Sequence, residues 1–548
     1  MFYLLRLFVF LLTMVGYFGM LRFKFKINIS FIPITVTSLI GILVFFSGIL
    51  NIMKIVVFLI VALGCFCFFK YTVFIRDSRF FKWAFLYFIM LVYFYLVFKD
   101  SYFNHYDNFS HWGVVAREIL ETNQFPSFKS SMIQFPTYIT GSASFIYFIC
   151  KVIGSNAEGT IIFANLSISL AALFSFMCFI ERKNIGFIVP IIVFSVVMLT
   201  TNIMPYDLLV DTQMPAVALA WSIIILDKKI NFEKMLNISL LISAFLITIK
   251  SSAMFFVFIN VVLIWLCYRN NVSLKLLLKK CFLILLSVFT VIKVWKAHTE
   301  YVFNDLNNAK HNINFNAYLD NFKSNGNEKN IEIISAFIKR IISLQNVFIL
   351  IFVGMILMAF IVTYIYKSKI IKIHLNMFVV FTYVIYELML LLMYLFSMPY
   401  TEAKGLDGFV RYDLTINSYV LGLILVSFLI NLNDQNERNK AKDNISLFLI
   451  TFWLCCLGVM THASPLDLFL GQQSYNLHKA VEKNFKDNNL KVGKPGIVYI
   501  ENKKISKGYA WYVSKYTFRT DDVTSAFTVE EFNALDKDNK QILIISSE

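Results

Sequence analysis

The sequence predicts an all-α integral membrane protein of about fourteen transmembrane helices, with outer-face loops and a small extracytoplasmic α/β region at the C-terminal end. Three observations predict this. Apolar runs of about 17 to 25 residues, the length that crosses roughly 30 Å of hydrocarbon as a helix, recur from residue 2 to residue 462. Of 548 residues, 58% are hydrophobic and only 15% charged, too little polar surface to cover a soluble globule of this size. The cations also alternate from side to side. Placing the loop around Asp107 outside makes the connections 22–26, 70–82, 181–186, 227–234, 269–280, 367–373 and 433–443 cytoplasmic, and these hold 22 Lys and Arg, as the positive-inside rule requires. The net charge of +16 therefore needs no nucleic-acid partner.

In chain order, the predicted spans are 2–21, 31–50, 55–70, 80–98, 160–180, 185–204, 212–226, 235–250, 252–268, 280–296, 346–366, 374–397, 416–432 and 446–462. The first carries Arg6 and is followed by Arg22, Phe23 and Lys24 in place of a small-residue cleavage site, so it reads as a retained helix. The apolar stretch Pro136 to Gly154 cannot be a span without inverting every later loop, and is read as a helix lying along the outer membrane surface. Three parts follow: extra N-terminal helices (1–79), a core (80–462) with outer loops 99–157, 297–345 and 398–415, and a cap (463–548). The cap shows a polar helix near Leu477 to Asp487 and β-rich runs at Gly496 to Ile500 and Gln541 to Ile545.

The eight cysteines lie inside or at the ends of apolar runs, which predicts neither a disulfide nor structural zinc. No Gly-rich phosphate loop or internal repeat is found in the sequence, which weakens an ATP-driven reading. No cofactor is expected.

The densest polar constellation runs from Asp100 through His105, Asp107, Ser110, His111 and Trp112 to Arg117 and Glu118. If a helix begins near Asn108, Asp107 sits at its N-cap and His111 follows one turn later on the same face. The pair could remove a proton from an acceptor hydroxyl, with Asp107 as general base, or Asp107 could merely cap beside an interfacial Trp belt. Asp207 and Asp211, four residues apart between two spans, could orient a sugar or a metal, or cap the next helix. Lys250, in a tight turn, and Arg411-Tyr412, before a span, place cations at the same level, to clamp a lipid phosphate or to snorkel to head groups. Glu387 is a carboxylate inside an apolar span, a functional candidate or a protonated interhelical hydrogen-bonder. Lys310 and His311 in the 297–345 loop could contact an acceptor or be simply solvated.

With a span followed by an outer loop holding an Asp, a His-Trp pair and a Pro-initiated segment (Phe135-Pro136-Thr137-Tyr138), the sequence resembles the GT-C superfamily of polyprenol-phosphate-sugar-dependent glycosyltransferases. The run Asp107-Asn108-Phe109-Ser110-His111-Trp112 is similar to a signature of such proteins in Gram-positive bacteria, and the resemblance covers roughly residues 80 to 430. It implies that Asp107 is the catalytic residue, and that Asp207 or Asp211 is the second acidic position. Trp112, Lys250, Arg411, Tyr412 and His311 would then contact substrate. The first loop has no D-x-D or E-x-D pair, which argues against a required metal.

The expected activity is inverting transfer of a sugar from a polyprenyl-phosphate donor to a cell-envelope glycopolymer or lipid, at the outer face of the cell membrane. Two alternatives stay open: a flippase for lipid-linked glycans, and a polysaccharide polymerase or ligase built on Arg117, Arg411 and His311.

Overall fold

The computed structural model describes residues 2–72, 77–128, 130, 132–180, 185–201, 203–303, 315–343, 353–354, 356–357, 361, 373–433, 440–472, 476–501 and 505–545. Helix starts follow local chemistry. The Asp77 carboxylate accepts from the N–H groups of Arg79 and Phe80 to open Ser78–Phe98, and the Asn231 side chain accepts from Glu233 to open Phe232–Ile249. Such caps satisfy donors that the first turn of a helix leaves unpaired.

Among the described residues, eleven helices are long and apolar enough to cross a membrane, and they correspond to eleven of the predicted runs. The chain is a multi-pass, helical membrane protein. The other three predicted spans are not among these eleven. The helix Gln213–Leu226 has 14 residues, about 21 Å of rise against roughly 30 Å of hydrocarbon, and its first 13 are buried. Apolar length here reflects burial inside the bundle. Leu274–Val302 is a 29-residue helix in which only the stripe Leu277, Cys281, Ile284, Val288, Val291 and Trp295, with Thr299, is buried. Run 346–366 lies almost wholly outside the described residues.

The predicted surface helix is also corrected. Gly141–Ile153 buries every residue but Lys151, packing against Ile32–Ile49, Glu158–Leu173 and Gly113–Thr122, so it offers no open face to lipid. At Gly141 a Cβ would lie 2.0 Å from Thr248 Oγ1, so glycine is what lets this helix meet Phe232–Ile249. Ile32–Ile49, from the N-terminal set, packs against the same two helices.

The C-terminal region is a three-stranded parallel sheet of order β2-β1-β3, formed by β1 (Gly496–Ile500), β2 (Val523–Ala526) and β3 (Gln541–Ile545). Val498 on β1 pairs with Ser525 and with Leu543. Helices Leu477–Asp487 and Lys507–Phe518 pack against it and against each other. All eight cysteines are free thiols.

Candidate active site

The segment after Ser78–Phe98 is held from two sides. The Phe103 N–H donates to Glu158 Oε2 at 2.9 Å, Asn476 Nδ2 donates to the Phe103 carbonyl at 2.9 Å, and Tyr509 Oη donates to the Asn104 carbonyl at 2.8 Å. Phe103 and Phe109 fill a pocket with Tyr516, and Phe109 also meets Tyr509 and His478. Arg117 lies 3.8 Å from the centre of the Tyr516 ring and donates to its carbonyl at 2.8 Å. His478 Nε2 is 2.8 Å from Glu158 Oε1 and 3.6 Å from Glu482. Glu158, His478 and Glu482 are close enough to share a cation, but the His478–Glu158 hydrogen bond already joins the C-terminal region to the bundle.

Residues Asn108–Trp112 form a π-helical turn, and Asp107, though at its N-cap position, makes no capping hydrogen bond. Its carboxylate turns instead to Arg411, whose Nη1 donates to Asp107 Oδ2 at 2.5 Å. Arg411 Nε is 3.8 Å from Asp211 Oδ2, and Lys250 Nζ is 3.2 Å from Asp211 Oδ1. Two acids and two cations thus form one chain, Asp107–Arg411–Asp211–Lys250.

Four separate turns supply it. Asp107 follows one span, Asp211 precedes Gln213–Leu226, Lys250 stands in extended backbone (φ −161°, ψ 142°) between two helices, and Arg411 opens Phe409–Asn433. The contacts among Asp107, Arg411, Asp211 and Lys250 bring these turns together at one end of the bundle. Gly408, with φ 75°, makes the turn that swings Arg411 inward, and a Cβ there would be 3.1 Å from the Tyr412 ring. Tyr412 lies beside both cations, its ring 5.7 Å from Lys250 Nζ and 5.3 Å from the Arg411 guanidinium, and Tyr386 Oη donates to its carbonyl at 3.1 Å.

Burial alone would raise the Asp211 pKa, but Lys250 and then Arg411 hold it below the usual carboxylate range. Burial likewise works against the Lys250 ammonium, and Asp211 more than offsets it. Both stay charged.

His111 does not join this chain. Its ring is buried against Trp112, Phe135 and Tyr138, with centroids at 4.7, 5.7 and 5.1 Å. Among the described residues neither ring nitrogen has a hydrogen-bond partner, and burial, aided by nearby Lys250, drives the imidazole pKa down to about 3. The histidine beside Asp107 is His105, whose Nδ1 accepts from the Asp107 N–H at 3.1 Å; burial lowers its pKa and the adjoining Asp107 opposes the shift. The expected meeting of Asp107 and His111 is not formed because Arg411 draws the carboxylate one way while an aromatic pocket takes the imidazole the other.

Asp207 is buried and accepts from the Met204 N–H at 2.7 Å, closing its own turn. Asn108 Nδ2 donates to the Tyr206 carbonyl at 2.9 Å, tying that turn to the Asp107 segment. Lys310 and His311 lie outside the described residues. Glu387 is buried beside Asp413 on the neighbouring helix.

No protein-family model and no curated protein matches this chain. Solved structures similar to it include ArnT from Cupriavidus metallidurans bound to undecaprenyl phosphate, at 8% identity and a TM-score of 0.46. The apo state of ArnT from the same organism is similar at 10% identity and a TM-score of 0.33; each comparison covers 85% of this chain and 90% of the other.

Proposed function

We propose that this protein is a membrane glycosyltransferase that moves a sugar from a polyprenyl-phosphate donor to a hydroxyl of a cell-envelope glycan or lipid, at the outer face of the membrane. The observation that carries the reading is the Asp107–Arg411–Asp211–Lys250 chain, built from four turns at one end of an apolar bundle. A carboxylate suited to proton removal beside two cations suited to an anionic head group supports this reading. Asp107 is the general base, Arg411 and Lys250 hold the phosphate, and Asp211 fixes both cations. Tyr412 lines the same place, while Trp112 and Tyr138 offer aromatic surface for a sugar next to Lys250. A phosphate leaving group needs no nucleotide, and one Asp can act without a metal.

The polymerase reading loses one of its residues, since Arg117 is taken up by Tyr516. A deletion strain tests the proposal. It should accumulate a polyprenyl-phosphate sugar and lack one envelope modification, and both changes should reverse on complementation. Unchanged lipid-linked sugars together with an unchanged envelope glycan profile would refute the reading.

A further inference from the structure

Arg411 is shared by two carboxylates that differ in access. The Asp211 side chain is 3% exposed, whereas Asp107 is 25% and Arg411 is 27% exposed. The floor of the site is therefore the Asp211–Lys250 pair, and its mouth is the Asp107–Arg411 pair. Formal charge also closes to zero, with two carboxylates matched by one guanidinium and one ammonium. A neutral cluster attracts an anion poorly, so a phosphate can be held here only if one carboxylate gives up its cation. Only Asp107 is placed to do so, because moving Asp211 would strand a charge in the buried floor.

We propose that the donor phosphate displaces Asp107 from Arg411, so that the base is released toward the acceptor only when a donor lipid is in place. This rests on the function proposed above and adds an order to it, with the donor binding before the acceptor reacts. In the step that follows, the acceptor oxygen forms a bond to the anomeric carbon as the bond from that carbon to the phosphate oxygen breaks. The bonding pair leaves on the phosphate, and the acceptor's proton passes to Asp107. The departing phosphate gains a negative charge while it lies against Arg411 and Lys250, where charge-assisted hydrogen bonds are strongest.

Competition for one cation has a signature that a plain catalytic role lacks: removing the competitor must tighten donor binding. The test titrates a polyprenyl monophosphate against the purified full-length protein in detergent, comparing wild type with Asp107→Asn and measuring turnover alongside. Displacement predicts that Asp107→Asn binds the lipid about tenfold tighter or more and turns over almost nothing. Unchanged or weaker binding with lost turnover would overturn the displacement and leave Asp107 as the base. Full turnover would instead remove the base assignment, and the displacement with it. Asp107→Ser, which also removes the charge, gives the same readings if the Asn variant inserts poorly. Inorganic phosphate in place of the lipid separates the two sources of the anion: the proposal requires it to bind at least about a hundredfold more weakly, and equal affinity would contradict a donor-lipid ligand.

Discussion

The Lys250 ammonium lies 3.2 Å from the Asp211 carboxylate, joining two interhelical turns across one end of the bundle. Because Asp211 is buried, removing its partner leaves a charge whose remaining ion-pair partner among the described residues is Arg411, 3.8 Å away. Lys250→Ala should therefore destabilise the protein by up to about 3 kcal/mol, as well as weaken donor use. Adding Asp211→Asn should recover most of the stability and none of the activity. A thermal-unfolding cycle on the two single variants and the double variant checks this; additive losses would mean the pair is not coupled.

Tyr516 couples the C-terminal region to the segment that carries Asp107, stacking on Arg117 and closing over Phe103 and Phe109. Tyr516→Ala should open this joint, at a cost of about 3 kcal/mol or more for an emptied aromatic site. Faster proteolysis between residues 463 and 476 and a lower turnover number should result. Tyr516→Phe keeps the ring but loses the hydrogen bond to Glu158, and should fall between wild type and Tyr516→Ala in both. An Ala variant with wild-type proteolysis and turnover would show that the joint does not support the site.

His111 makes stability depend on pH with a definite sign. The unfolded chain takes up a proton below the ordinary value of 6.5, while the native state refuses it until about 3. Its contribution is thus complete above 6.5 and is lost as pH falls toward 3, by at most about 1.4 kcal/mol per pH unit. Wild type should lose more thermal stability between pH 7.5 and 5.5 than His111→Phe, which cannot titrate. Equal losses would show that the imidazole is not held neutral.

The distribution of cations among the short connections predicts the orientation. A cysteine placed at exposed Asn488 should react with an impermeant thiol reagent in intact cells, and one at exposed Lys275 should not. Labelling at 275 alone would invert the protein and move the site to the cytoplasm.

Much of this was legible along the chain, because span ends and isolated charges beside apolar runs are local features. Asp107, Asp211, Lys250 and Arg411 stand out for that reason, and the helix Leu477–Asp487 and two strands of the C-terminal sheet are visible from polar and β-branched patterning. What spacing along a helix cannot reveal is a contact from far away. Arg411, 304 residues from Asp107, decides where the carboxylate points, and so decides that His105 and not His111 is its neighbour. Tyr138 and Tyr386 were missed on the same ground, since nothing local marks a tyrosine that the fold brings to a site. The surface-helix reading of 136–154 failed because apolar composition records burial between helices as readily as exposure to lipid, and the short buried helix at 212–226 shows the same ambiguity.

The most direct test of the central claim is the turnover of Asp107→Asn, expressed at the wild-type level, in restoring the missing glycan to a deletion strain. The change keeps side-chain size and removes the oxygen that takes the proton. Since Asp107 makes no capping hydrogen bond, no cap is lost with it. General-base assistance is worth about 10²- to 10⁴-fold in rate, and a loss of that size is the predicted result. Restoration at the full wild-type rate would contradict the account and return the protein to the transport alternative.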